Sequence, residues 1–225
     1  MAAFAGIAYS DLQIVTKKMP ADLSTVYLST AYLAPVEYYM QMQAFPKIVI
    51  EKHCNYVKQT YRNRCVIATA NGTQTLSIPV ERPGTIKCCT KDIRISEHGN
   101  WRHLHWTAIQ SAYHSTPFFE YYAGDFIGFY EQQYDFLFDF NESLRETVIK
   151  LLDIEPEIVY STEYKTDFLP NEIDYREAIH PKKPSVENVF KPYYQVFESK
   201  FGFQPKLSII DLLFNMGPES VLLLT

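Results

Sequence analysis

Tryptophan occurs only twice in 225 residues, cysteine four times and glycine eight times. There is no basic excess either: 21 Lys and Arg face 26 Asp and Glu, for a formal charge of −5. That balance argues against a protein that coats DNA or RNA, so no nucleic-acid partner is expected. No run of about 18 apolar residues occurs, so no membrane-spanning helix is expected. Cys54, Cys65, Cys88 and Cys89 form no C-x-x-C, and no two of them have zinc-ligand spacing. They read as reduced thiols of a cytoplasmic protein. No Walker loop, G-x-G-x-x-G, H-E-x-x-H or G-x-S-x-G is present, and neither a metal nor a cofactor is expected. The apolar start, Met1 to Tyr9, lacks the basic region of a signal peptide. Residues 1–24 read as a loosely held leader and 25–225 as a single domain.

What the chain does have is aromatic: 17 Tyr and 15 Phe. Tyrosine pairs an apolar body with a hydroxyl that needs a partner, so polar-lined clefts are expected beside the core. Val26 to Thr30 and Lys47 to Glu51 read as strands, with a short helix between them, Val36 to Ala44, opened by Pro35. Cys65–Thr69 and Thr75–Pro79 flank Asn71-Gly72 and predict a hairpin. A loop around Pro83-Gly84 and a strand over Asp92–Ser96 follow. Asn100 is a suitable N-cap for a helix over Trp101–Tyr113, and Pro117 opens another through Tyr122. Asp125 to Leu152 is helical in pattern, broken near Asp139–Asn141. A strand over Glu157–Ser161, a long loop from Asp167 to Val186, and helices over Val189–Lys200 and Ser208–Asn215 complete the chain. The fold class expected is α+β: a mostly antiparallel N-terminal sheet with a hairpin over 25–97, then a helix-rich half over 98–225.

Two segments concentrate chemistry. His53 to Arg64 packs Lys58, Arg62 and Arg64 with Asn63, Tyr56 and His53 into one connector. Guanidinium forks match phosphate, so this reads either as an anion-binding loop or as a solvated loop paired with local carboxylates. His98 to Trp106 holds Trp101, Arg102, His103 and His105 at the start of a helix, where N–H groups attract anions. His103 and His105 lie about 200° apart on a helix, so one ion cannot take both. A single histidine as general base fits better, against a reading in which the segment packs on the core. A Cys–His pair using Cys54 or Cys65 is a further alternative. Asp211 and Asn215 share one face of the last helix; Asp211 would orient a His or Arg, or form a core salt bridge.

The order of these motifs resembles the WbqC-like family of small bacterial proteins, often associated with polysaccharide and O-antigen gene clusters. The likeness runs from about Val26 to Leu224. It rests on Tyr32 and Pro35, Asn55-Tyr56-Val57-Lys58, Asn63-Arg64, Ile78-Pro79, Ile93-x-Ile95, the Trp101 helix with Tyr113 and Pro117-Phe118, and Ser208-Ile-Ile-Asp211 with Asn215-x-Gly217-Pro218. The family's Gln-Pro is replaced here by Thr30-Ala31, and its acidic pair falls on Lys52-His53. The resemblance implies an enzyme of surface-polysaccharide (lipopolysaccharide) biosynthesis, a transferase moving an acyl group to a nucleotide- or lipid-linked amino sugar. The alternative is a non-catalytic accessory protein of the same pathway. On the enzyme reading Lys58, Arg62 and Arg64 hold phosphate, and Tyr32, Tyr56 or Trp101 stacks on sugar or base. His53 or His103 takes the amine proton, and Asn63 and Asp211 orient these groups. Arg102 and Asn215 complete the substrate-binding set. This reading expects the two segments to line one hollow. The oligomeric state is not indicated.

Overall fold

A computed structural model describes residues 23–81, 88–186 and 190–225. The first 22 residues of the expected leader, the Pro83-Gly84 loop and Val189 lie outside the described residues. Strands come first and helices later, as expected, but the principal sheet is parallel. Its strands are β1 (Thr25–Ser29), β2 (Lys47–Glu51), β5 (Glu157–Tyr160) and β6 (Glu172–Asp174), in the order β5-β2-β1-β6. Thr25 pairs with Lys47 on one side and Glu172 on the other, and Lys47 pairs with Glu157, all in parallel register. The helix α1 (Val36–Ala44) carries the chain from β1 back to the start of β2. All five residues of β1 are buried. A strand covered on both faces reads as a continuous apolar run and not as an alternation, which is the mark of parallel pairing. The antiparallel expectation is therefore corrected, because β5 and β6 arrive from far along the sequence and no local pattern announces them.

The antiparallel part is a separate two-stranded hairpin, β3 (Arg64–Thr69) with β4 (Gly72–Ser77). Thr69 pairs with Gly72, so the chain reverses over Ala70-Asn71, one residue earlier than expected, with Gly72 at φ 111°. Positive φ of that kind is open to glycine at little strain. Three helices follow: α2 (Trp101–Tyr113), α3 (Phe119–Glu131) and α4 (Leu137–Leu152). The expected break near Asp139–Asn141 falls inside α4. Asn141 stays helical because its Nδ2 donates to the buried Arg62 carbonyl at 2.8 Å. The actual break is at 132–136. Asp92–Ser96 is not a strand: a 3₁₀ turn over Thr90–Asp92 leads into isolated bridges at Arg94 and Ile95. Ile93 and Ile95 are buried, which explains their alternation without a ladder.

The stretch read as a long loop contains β6, and the helix expected over Val189–Lys200 shrinks to α5 (Glu198–Phe201) within the described residues. Pro192 removes one backbone donor there, and Tyr193 and Gln195 turn instead onto Asp211. The last α-helix is α6 (Ile209–Met216), capped by Ser208 and buried along most of its length, and a 3₁₀ helix over Gly217–Leu223 follows it. No helix among the described residues is long and apolar enough to cross a membrane.

Candidate functional site

β1 leads through α1 to β2 on one flank, whereas β6 joins β1 on the other. In open parallel sheets the carboxyl ends of strands diverge at such a switch in direction and leave a crevice, the usual ligand position. The residues at this edge are polar, although the strands are apolar: Ser29 closing β1 and Thr30 after it, Glu51 closing β2, Ser161 after β5, Asp174 closing β6 and Arg176 after it. Ser29, Thr30, Arg62, Arg176, Glu177 and His180 line a narrow hollow between the ends of β1 and β6. Its free space is about 10 Å³, room for roughly one water.

Arg62 enters this hollow from the connector before β3 and is 2% exposed. Its Nη2 donates to Ser29 Oγ at 2.8 Å, Glu177 Oε1 at 2.5 Å and Cys54 Sγ at 3.6 Å. Its Nη1 reaches Thr60 Oγ1 at 3.5 Å, and its Nε has no hydrogen-bond partner among the described residues. The partner carboxylate of Glu177 is about half exposed, at 48%. Arg176 lies deeper. It donates to Glu51 Oε2 at 2.9 Å, holds Asp174 through two bonds of 2.8 Å, and reaches the Lys165 carbonyl. Glu51 is fully buried, and its other oxygen accepts from Ser161 Oγ and the His53 amide. This second network is self-contained and fixes the sheet edge, whereas Arg62 has donor capacity left over. His180 Nδ1 accepts from the Lys182 amide at 3.0 Å, so the neutral ring carries its proton on Nε2. Partial burial, then the charges of Lys183, Lys182 and Arg62, favour that neutral form by lowering its pKa, against the opposing pull of Glu177.

The other residues singled out from sequence fall in several places. Tyr56 is half-buried beside Arg64 and Arg62, and burial raises its phenol pKa against their charges. Arg64 opens β3, Lys58 is exposed, and His53 sits just past the end of β2. Asn63 donates to the Ile78 carbonyl at 2.9 Å and holds connector to hairpin. Tyr32 is wholly buried, its hydroxyl bonded to His105 Nδ1 at 3.0 Å and Tyr130 at 2.8 Å. Burial pushes the His105 pKa down to about 4, so this imidazole is a neutral core group. Trp101 packs edge-on against His105 and Phe140, and Arg102 is clasped by Glu97. His103 is exposed on α2 and lines a different hollow from Arg62. The described cavities thus do not bring the two segments together.

Among the described residues Asp211 meets neither a His nor an Arg; it accepts from Tyr193 at 2.8 Å and Gln195 at 3.0 Å, and Asn215 turns back onto the Asp211 carbonyl. Burial pushes the Asp211 pKa up to about 6, against the pull of those hydrogen bonds. A carboxyl raised from about 3.8 stabilises the fold fully below that pH, and the contribution is lost as pH rises through about 6. Asp211→Asn is therefore expected to gain on the wild type by up to about 3 kcal/mol between pH 4 and 7. Urea unfolding of both proteins across that range checks this; a difference that does not change with pH contradicts it.

Sequence reasoning missed Ser29, Arg176, Glu177 and His180. The only local signal was a pair of polar residues closing an apolar strand; their meeting depends on the parallel register. The family model described as the WbqC-like protein family matches residues 30–179. A Mycobacterium tuberculosis protein (strain ATCC 25618 / H37Rv) described as uncharacterized protein Rv1507c is 28% identical over 207 residues, covering 81% of this chain and 89% of its own. No solved structure matches the chain significantly.

Proposed function

The chain belongs to the WbqC-like protein family, and from that premise we propose that it binds a phosphate-bearing amino sugar in the crevice between β1 and β6. The observation that supports this reading is Arg62: a buried guanidinium with an unused Nε, whose one carboxylate partner is half in solvent. A buried cation needs an anion, and a phosphate offers two oxygens to Nη2 and Nε where Glu177 offers one to Nη2. Glu177 swings outward as the ligand takes its place. The His180 Nε2–H adds a donor, and Lys182 and Lys183 make the rim attractive to an anion. The reaction is the one the family resemblance implies, group transfer to the sugar amine in a cytoplasmic surface-polysaccharide pathway. His53, on the same edge of the sheet, would take the amine proton, since an ammonium is not a nucleophile. The second reading is a non-catalytic binding protein; the narrowness of the hollow favours it.

Calorimetric titration with uridine diphosphate and a uridine-diphosphate amino sugar tests the binding. Glu177→Gln is expected to bind both about tenfold more tightly than wild type, because a competing carboxylate is gone. Arg62→Lys, which keeps the charge but loses the fork, is expected to bind about tenfold more weakly. Equal affinities in all three proteins, or weaker binding by Glu177→Gln, overturn the proposal.

A further inference from the structure

A second hollow, of about 400 Å³, lies between the start of α2 and the end of α3. Trp101, Trp106 and Tyr130 line it, with Arg102 from α2 and Glu131 from α3. None of its lining residues lines the Arg62 crevice.

Two helix ends of opposite polarity meet here. α2 starts after Asn100 at φ 47°, and no side chain caps its first turn. Its first N–H groups therefore present partial positive charge. Trp101 is 4% exposed and, among the described residues, its indole Nε1–H has no hydrogen-bond partner; the Arg102 Nε lacks one there too. The terminal nitrogens of Arg102 are held by Glu97, which is about half exposed and so can yield them to another carboxylate. α3 contributes the opposite pole. It has no basic residue in its last turn and ends on Glu131, whose carboxylate forms no ion pair among the described residues. A simple anion would face Glu131 and the α3 carbonyls. A simple cation would face Arg102 and the α2 amides.

We infer that this hollow binds a zwitterion of amino-acid size, its carboxylate at Arg102 and the start of α2, its ammonium at Glu131 and the end of α3. The apolar part of the ligand rests on Trp106 and Ile127, which line the same space. The volume falls within the range of small-molecule sites.

The two tryptophans of the chain both line this hollow, so intrinsic tryptophan emission reports on it. The wild-type chain is titrated with the common L-α-amino acids at up to millimolar concentration. Each one that responds is retested as its N-acetyl and C-terminal amide forms. A saturable change with at least one free amino acid is expected, weakened about tenfold or more by either block. Glu131→Gln, a change on an exposed residue, is expected to weaken the free amino acid and to leave the N-acetyl form where it was. The response should persist in saturating uridine diphosphate, which separates it from the crevice. No saturable response to any amino acid, or equal response to either blocked form, overturns the inference.

Discussion

Arg176→Ala is expected to lower the unfolding free energy by about 3–5 kcal/mol. Glu51 is fully buried at the end of β2, and Arg176 is its cation, at 2.9 Å. Removing the guanidinium leaves a carboxylate with only the Ser161 hydroxyl and the His53 amide to replace its hydration. It also frees Asp174 and the Lys165 carbonyl, and strips the cation from the faces of Tyr164 and Phe168. The loss belongs mainly to the orphaned charge and not to the pair itself. Glu51→Gln combined with Arg176→Met should therefore recover much of it. Denaturant unfolding of the single and double variants checks both statements; a loss under about 1 kcal/mol for Arg176→Ala contradicts them.

Gly217→Ala should cost about 2–4 kcal/mol. Gly217 ends α6 at φ 57°, in the left-handed region where a side chain is strained. A Cβ added there would also stand 2.5 Å from two carbons of the Phe118 ring. Phe118 cannot easily retreat, because its amide is bonded to the Phe214 carbonyl at 3.0 Å. Gly202, at φ 71° with open space around it, separates the two effects. Alanine there meets the backbone strain without the clash, and a smaller loss in thermal unfolding is expected. Equal losses at both positions would mean that the ring gives way.

Local chemistry made much of the fold readable. Pro35 and the apolar spacing after it placed α1 at its observed limits, and Asn100 marked the start of α2 although its side chain does not cap. β6 could not be read that way: three residues inside a polar, Pro-rich stretch gain their strand identity only from pairing with β1. The site was legible in the same partial sense. Arg62 stood out as one of several cations in a connector. Nothing nearby in sequence marked Arg62, and not Lys58, as the cation buried at the sheet edge. That distinction comes from Ser29 and Glu177, 33 and 115 residues away. His103 and Trp101 line a different hollow from Arg62, because the start of α2 stands against the end of α3. Asp211 looked like a partner for a cation; its hydrogen bonds come from Tyr193 and Gln195, whose helical pattern Pro192 interrupts.

The measurement that bears most directly on the role of Arg62 is a crystal structure with uridine diphosphate bound. The expected result is a phosphate oxygen within hydrogen-bond distance of the Arg62 guanidinium, between the ends of β1 and β6, with Glu177 turned to solvent. Phosphate density elsewhere, with the Arg62–Glu177 pair still closed, would contradict it.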